Sequence, residues 1–426
     1  MRKKREPSGT IEVVSNAGKT AYGIDNSGKT DVSTAIQEIF DEAEKIERAS
    51  ATIAFAPGVY YIDSPLTVRL SSVRFQGHGH GGLDIHGANL AGGSMLRFGP
   101  NCGPNCITFE SAGHNKAFPS DESPWPRKTV RLDIDKMTFM GHNNTGVDTA
   151  SGYSRFRGDE PNFRGLKWYP APDRYRDAEA QGQRAIVIPP SDRDSKPELL
   201  RVNGCHFTDL YVGLDVAASD VSHITDSWFA QMVYGVRYHH KGQGTFVSNT
   251  VFADLETGLS LAYPTMSALH HNTFAYVSKG LDIGRMEDSS ITGNTLLNWK
   301  LSTGAAASGA FCYIGGPSRN ITITGNSLRH EVDSRARTRT IDREPNGRSF
   351  VHFEDCERLL LAHNVIDTVQ TQTVVRLHNC RDSAVVDNII QHGEGGSAVA
   401  QTGACSGNFY RPVKPQESAA FDAFVG

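Results

Sequence analysis

The sequence predicts an all-β protein, a single-stranded right-handed parallel β-helix in which each coil of the chain stacks on the coil before it. Two observations lead to this prediction. Short strand-like segments recur about every 22 residues from residue 199 onward, and no helix-length apolar pattern lies between them. The composition agrees, because 42 Gly and 19 Pro disfavour helices, while Val, Ile, Thr and Phe recur in short runs between turn residues.

The repeat is clearest in hexapeptides that end in an apolar residue. These hexapeptides are VNGCHF at 202–207, ITDSWF at 224–229, VSNTVF at 247–252, LHHNTF at 269–274 and ITGNTL at 291–296. Later copies end at Leu328, Ile366 and Ile390. A second strand shares the period and starts at Gly213, Gly235, Gly258 and Gly280. Parallel stacking places equivalent positions of successive coils about 4.7–4.9 Å apart, so that they form columns.

One such column consists of asparagines, and it is predicted to be a structural hydrogen-bond ladder rather than a set of catalytic groups. Its members are Asn272, Asn294, Asn326, Asn364 and Asn388. The N-terminal region predicts one amphipathic helix over Asp31 to Ala49 that caps an apolar end. Its apolar positions are Ile36, Ile39, Phe40, Ala43 and Ile46.

The predicted organisation has five parts. They are an N-terminal segment with the capping helix at 1–52, first coils at 53–141, an inserted aromatic and charged loop region at 142–198, the main β-helix at 199–400 and a C-terminal tail at 401–426.

Charge and motif content argue against several functional classes. Lys+Arg 43 against Asp+Glu 47 gives a net charge of −4, too balanced for nucleic acid binding. No apolar segment reaches the roughly 18 residues of a membrane span. As written, the chain lacks a signal peptide, which predicts a cytoplasmic protein, or a secreted one if the N-terminus has been truncated. No cofactor motif is found, and the seven cysteines predict buried free thiols rather than a metal site.

The columns also group the candidate site residues. Counting two residues beyond each closing apolar residue gives the polar column Asp209, Gln231, Asp254, Tyr276 and Asn298. Counting seven beyond each repeated glycine gives Asp220, Gly242, Thr265 and Glu287. Asp215 and Arg237 fall in a third column, one coil apart, where an ion pair is expected.

Several segments resemble known carbohydrate-active proteins. GKTDVSTAIQEIFDEA and IAFAPGVYYIDSPLTV look like the opening of pectate-lyase-type β-helices. FTDLYVGLDVAASDVSHITDSWFAQMVYGV, GQGTFVSNTVF and SSITGNTL resemble the inulin fructotransferase and difructose anhydride hydrolase family, glycoside hydrolase family 91. The resemblance implies a homotrimer that cleaves inulin-type fructan or difructose anhydride without metal or organic cofactor.

By this resemblance, the family's catalytic Asp falls on Asp220 and its Glu, eleven residues later, falls on Gln231. An amide cannot exchange a proton as a carboxyl group does. Three explanations are open: an engineered change, a natural member with altered chemistry, or a binding protein that lost activity. For the second explanation, Asp209 or Asp254 is expected to supply the missing carboxylate, since each flanks Gln231 in its column.

The expected function is therefore that of an enzyme acting on fructofuranosyl linkages of inulin-type fructan or difructose dianhydride, as an inulin fructotransferase-like lyase or as a hydrolase. Gln231 would hold a substrate hydroxyl, and Arg237 would bind others. Trp168, Tyr169 and Trp228 are candidates to stack on sugar rings. Two alternatives stand beside this: a polysaccharide lyase acting on another glycan, and a noncatalytic glycan-binding or trimeric structural β-helix.

Overall fold

The structure is a computed structural model that describes most of the coil-forming segments. The described residues are 10–12, 24–44, 50–70, 72–79, 93–110, 131–142, 182–189, 198–275, 277, 279–298, 311–330, 349–368, 373–392 and 396–413. Among them are one helix, α1 at Ser33–Glu44, and 34 strands.

The first seventeen strands are β1 Thr10–Glu12, β2 Ser27–Asp31, β3 Ser50–Ala54, β4 Gly58–Ile62, β5 Leu66–Val68, β6 Ser72–Gln76, β7 Ser94–Phe98, β8 Asn105–Phe109, β9 Arg131–Asp135, β10 Thr138–Met140, β11 Arg184–Ile188, β12 Leu199–Asn203, β13 His206–Thr208, β14 Val212–Val216, β15 Val221–Thr225, β16 Trp228–Gln243 and β17 Thr245–Ser248. The remaining strands are β18 Val251–Thr265, β19 Ala268–His270, β20 Thr273–Ala275, β21 Lys279–Ile283, β22 Glu287–Thr292, β23 Thr295–Asn298, β24 Cys312–Ile314, β25 Ser318–Thr324, β26 Ser327–His330, β27 Val351–Glu354, β28 Cys356–Ala362, β29 Val365–Asp367, β30 Thr373–His378, β31 Ala384–Val386, β32 Ile389–Gln391, β33 Ser397–Thr402 and β34 Phe409–Arg411.

The chain divides into two compact units. The first comprises residues 1–243 with 250–255. Each coil contributes three strands, one to each of three parallel sheets. Sheet A contains β3, β6, β9, β12 and β15. Sheet B contains β4, β7, β10, β13 and the start of β16, and sheet C contains β5, β8, β11, β14 and the end of β16. Every one of these pairings is parallel, as predicted for a right-handed parallel β-helix.

The second unit comprises residues 244–249 with 256–426 and has the same three-strand coil. Its three parallel stacks are β17–β19–β22–β25–β28–β31–β34, β20–β23–β26–β29–β32, and the end of β18 followed by β21–β24–β27–β30–β33.

The repeated apolar positions form the core, as their spacing predicts. In the first unit the rings of Phe139, Phe207, Phe229 and Phe252 stack at successive centroid distances of 4.9, 4.7 and 5.2 Å. Phe207 is in register with Phe229, which confirms the 22-residue coil at this point. All seven cysteines are free, and all are buried except Cys405, which is half-buried.

The asparagine ladder is confirmed in the second unit. From Asn294 onward, each side-chain oxygen accepts hydrogen bonds from the backbone and the side-chain amide of the asparagine one coil earlier. From Asn272 to Asn388 these eight hydrogen bonds measure 2.9–3.0 Å. The five side chains are buried. The ladder thus satisfies the buried polar groups of the turns.

The N-terminal helix is confirmed but is described over a shorter range than predicted. It begins at Ser33, where the Asp31 carboxylate accepts the Ser33 backbone N–H at 3.0 Å, and residues 45–49 lie outside the described range. The Phe40 ring stacks on Phe75 at 5.5 Å, and the Gln37 side chain bonds both the N–H and the carbonyl of Thr67. The predicted apolar positions that fall in the described helix are all buried, namely Ile36, Ile39, Phe40 and Ala43.

Part of the predicted insertion at 142–198 belongs to the β-helix. Strand β11 is paired in register with β8 on one side and with β14 on the other, so Arg184–Ile188 is a coil strand and not a loop. The run RAIVI is short, and without a neighbouring copy at the repeat period it gives no sequence signal. The predicted domain boundaries stay a prediction. No described helix has the length and apolar character that a membrane span requires.

Candidate active site

The predicted polar column lies at the turn that leads into sheet C. Thr208 and Ala230 are in register, and the next residue of each coil, Asp209 or Gln231, adopts a left-handed backbone with φ of 55° or 56°. Asp209 and Gln231 therefore share a column, as predicted. Asp209 is only 2% exposed, whereas Gln231 is half-buried. The side chain of Asp254 lies outside the described residues.

Asp220 lies at the other end of sheet C, immediately before β15. The glycine count placed Asp220 opposite Gly242, and this is wrong: Ser219 is the residue paired with Gly242. The register is 22 residues at Val216 and Tyr238 but 23 residues at Ser219 and Gly242, so the later coil holds one extra residue in this turn. A count along the sequence cannot locate an extra residue that falls between two repeat markers.

The structure does not bring Asp209 and Asp220 together within one coil. Strand β14 separates them, and its five residues span about 16 Å at about 3.3 Å each. Paired glycosidase carboxyl groups are at most about 9.5 Å apart. This separation argues against Asp209 acting with Asp220 within one chain, and the predicted role of Asp209 stays a prediction.

A buried ionic cluster occupies sheet C between these two ends. The Arg237 guanidinium donates two hydrogen bonds to the Asp215 carboxylate, at 3.0 and 2.9 Å, which confirms the predicted ion pair. The same carboxylate lies 3.3 Å from the Arg184 guanidinium and 2.6 Å from Nε2 of His239. Burial opposes ionisation of Asp215, but hydrogen bonds from His239 and Arg237 outweigh it and lower its pKa to about 2.

Arg237 is held on its other side by aromatic rings. Its guanidinium lies 5.0 Å from the ring centroid of Tyr234 and 6.0 Å from that of Tyr211, and these two rings meet edge to face. Arg237 is only 8% exposed. Because two of its donors are used on Asp215, Arg237 chiefly organises this part of sheet C, and its predicted role in binding substrate hydroxyls stays a prediction.

His239 is the functional candidate that sequence reasoning missed. Its side chain is 45% exposed, while the carboxylate that anchors it is buried. A carboxylate that fixes one ring nitrogen leaves the other free to exchange a proton with a ligand, which is the usual arrangement of a histidine acid or base. The available signal was strand alternation: Arg237 and His239 are two residues apart on β16 and so point to the same face as Asp215.

Asp220 and His239 flank the same turn of neighbouring coils. His240 donates its backbone N–H to the Ala217 carbonyl at 2.9 Å, and Ser219 pairs with Gly242. Asp220 is thus four residues from His239 along the strand direction, no more than about 13 Å of extended chain. Both residues therefore lie at the same end of sheet C, on neighbouring coils.

Trp228 presents a partly exposed ring on sheet B. The ring is 39% exposed and stacks on His206 with centroids 5.5 Å apart. An exposed indole suits a sugar ring, so its predicted stacking role remains compatible with its position. Trp168 and Tyr169, the other two aromatic candidates, lie outside the described residues.

The second unit contains a separate charged cluster around Glu287. Thr265 is in register with Glu287, as the glycine count predicts. The Glu287 carboxylate forms ion pairs with Arg285 and, at 3.5 Å, with Arg319. Burial opposes its ionisation, but hydrogen bonds from Arg285 and Tyr263 outweigh it and lower its pKa. No group of three metal-ligating side chains occurs among the described residues of either unit.

Comparisons with known proteins agree with the fold. Residues 16–154 match the family model described as rhamnogalacturonase A/epimerase, pectate lyase-like, and residues 196–342 match that of the periplasmic copper-binding protein NosD. No curated protein matches the chain.

Solved structures extend the likeness along nearly the whole chain. DFA-IIIase from Arthrobacter chlorophenolicus A6 in complex with GF2 superposes with a TM-score of 0.65 at 13% identity, covering 96% of this chain and 95% of that one. A mutant of the same enzyme in complex with DFA-III gives 0.63 at 13% identity, covering 96% of each chain. The chain has the fold of DFA-IIIase. This likeness is consistent with the family resemblance seen in the sequence.

Proposed function

We propose that the protein is a glycan-active enzyme that cleaves fructofuranosyl linkages of inulin-type fructan or of a difructose dianhydride. The observation that carries this proposal is the fold shared over nearly the full length of both chains with DFA-IIIase, whose structures include complexes with DFA-III and GF2. The local resemblance around Asp220 supports the same substrate class.

We assign the two catalytic positions to Asp220 and His239. Protonated His239 donates its proton to the bridging oxygen as the bond from that oxygen to the anomeric carbon breaks. Asp220 accepts the proton of the attacking hydroxyl as its oxygen bonds to the same carbon. That hydroxyl belongs to the neighbouring fructose in intramolecular transfer and to water in hydrolysis. Buried Asp215, 2.6 Å from Nε2, keeps the His239 ring oriented.

This assignment accounts for Gln231 without requiring a carboxylate at that position. Gln231 lies beside Asp209, before strand β14, and Asp220 follows that strand. An amide there can bind a sugar hydroxyl through its oxygen and its NH₂ group without taking part in proton transfer. The missing acid is therefore supplied from the Asp220 end of sheet C.

The test is to incubate the protein separately with inulin and with difructose anhydride III and to separate the products by chromatography. We expect turnover of at least one of them, and a rate about 10²–10⁴-fold lower for Asp220→Asn and for His239→Gln. The matched control is His240→Gln, an exposed histidine one residue along β16, which should retain the parent rate.

Two outcomes contradict the proposal in different ways. If the parent is inactive on both saccharides and Gln231→Glu turns them over, the chain is a disabled relative and the acid belongs at position 231. If all variants are inactive on both saccharides, the fructan assignment itself is wrong, and a noncatalytic glycan-binding or structural β-helix becomes the better account.

A further inference from the structure

A groove of about 400 Å³ runs along the outer face of sheet A in the first unit. In strands β6, β9, β12 and β15 the inward positions are apolar or small and buried. The outward positions in the same register are Arg74, Asp133, Arg201 and His223. We call this the arginine groove. Its charged lining is a surface feature that the fold does not require.

One side of the groove is held rigid by contacts between its own residues. Arg74 donates to the Asp135 carboxylate at 2.9 Å, and Asn203 donates to the other oxygen of Asp135 at 2.8 Å. The Thr225 hydroxyl in turn donates to the Asn203 side-chain oxygen at 2.9 Å. This chain of contacts crosses four coils and fixes the second row of side chains beside the outward column.

The other side of the groove holds two polar side chains, Asp133 and Arg201, that can form further hydrogen bonds. Asp133 is 5% exposed, and its Oδ2 accepts a hydrogen bond from Arg131 at 2.7 Å, while its buried Oδ1 has no partner among the described residues. Arg201 is in register with Asp133, and within the described part of the chain its exposed guanidinium forms no ion pair or hydrogen bond. A buried acceptor without a donor costs about 1–3 kcal/mol, and Asp133 is one of the residues that line the groove.

We propose that the arginine groove is a second saccharide-binding site, in which hydroxyl groups of a neutral glycan donate to Asp133 and accept from Arg201. A hydroxyl is both donor and acceptor, so neighbouring sugar hydroxyls match a carboxylate oxygen and a guanidinium that face one groove. A simple cation is disfavoured by Arg74, Arg131 and Arg201. A simple anion is disfavoured at Asp133, whose oxygen can only accept.

His223 fits the same ligand. Burial, together with the nearby Arg201 charge, lowers its pKa, so the imidazole is neutral near pH 7. A neutral imidazole offers one donor and one acceptor, which again suits hydroxyl groups better than charged ones. His223 lies three residues beyond Asp220, about 10 Å of extended strand, so a glycan chain held in the groove adjoins the turn assigned to catalysis.

The proposal is tested by affinity electrophoresis of the full chain in gels that contain inulin or polygalacturonate, with Asp220→Asn as the background so that inulin is not consumed. We expect retardation in inulin, and a dissociation constant raised at least tenfold by Arg201→Gln and by Asp133→Asn. Arg329→Gln, which also removes one exposed guanidinium, is the matched control and should leave binding unchanged. With Asp220 restored, Arg201→Gln should turn over difructose anhydride III at the parent rate.

The proposal is overturned if the background protein is not retarded by inulin, if Arg201→Gln binds as tightly as the background, or if polygalacturonate binds more tightly than inulin. The last result would make the groove a site for anionic glycans. Because Arg201 is exposed, its variant is expected to fold even if Asp133→Asn does not. If Arg201→Gln is no longer retarded by inulin, the second binding site is supported even when the protein turns over no saccharide. The binding proposal and the catalytic proposal can therefore be contradicted independently.

Discussion

The Asn272–Asn388 ladder of the second unit and the Asp215 cluster of the first unit solve the same problem differently. Both place polar side chains in buried positions of stacked coils, the ladder in the turns and the cluster on sheet C. The ladder uses one residue type in coil after coil, and every amide meets an identical neighbour. The cluster combines Asp215 with Arg184, Arg237 and His239, and one of its members reaches solvent. Regular repetition satisfies the fold alone, whereas the cluster adds a proton-exchanging group to it.

The largest effect that separates the two clusters is expected for Asp215→Asn. The amide leaves the charges of Arg184 and Arg237 without a carboxylate in a buried site, and breaking a buried ion pair costs about 3–5 kcal/mol. Urea unfolding at pH 7 measures the loss. Asp282→Asn is the control, because Asp282 pairs with Lys279 at 3.2 Å on a more exposed surface and should cost at most about 1 kcal/mol. Equal losses for the two variants would show that the buried Asp215 cluster stabilises the fold no more than a more exposed ion pair does.

A smaller effect is expected when the ladder is interrupted. Asn294→Ala removes the oxygen that accepts the Asn272 N–H and side-chain amide, at 2.9 and 3.0 Å, and leaves those donors buried. We expect a loss of about 2–3 kcal/mol in the free energy of unfolding. Thr295→Ala, on the next, exposed position, should change it by less than about 0.5 kcal/mol. If Asn294→Ala matches this control, the ladder is a consequence of the fold and contributes little to its stability.

The ladder was predictable from the sequence, and the cluster was predictable only in part. Asn272 and its equivalents occupy the fourth position of recognisable hexapeptide copies, so the sequence alone assigns them to one column. The Asp215–Arg237 pair follows from the same counting. The contact of His239 with Asp215 follows only from strand alternation, which is a weaker signal. Arg184 lies in β11, a strand that the sequence repeat does not reveal. A strand such as β11 has no similar sequence one repeat before or after it, so its place in the β-helix cannot be predicted by comparison with a neighbouring coil.

The position of Asp220 shows the other limit of sequence reasoning. Its turn contains one residue more in the later coil, so the predicted partner Gly242 pairs with Ser219 instead. The same turn brings Asp220 to the end of sheet C where His239 lies. Columns taken from the strands are reliable because hydrogen bonds fix their register, whereas turns between them change length freely.

The smallest of the three effects is the dependence of stability on acid. The pKa of Asp215 is lowered from 3.8 to about 2, so its ionised form favours the folded state above pH 4, and that contribution is lost as the pH falls through the folded-state pKa. The groups that face it are Arg184, Arg237 and His239. The shift corresponds to roughly 2 kcal/mol. The difference in unfolding free energy between the parent and Asp215→Asn should therefore shrink by about this amount between pH 5 and pH 2. Asn294→Ala titrates no group, so its difference from the parent should stay constant over the same range, and a parallel decline in both variants would contradict the assignment to Asp215.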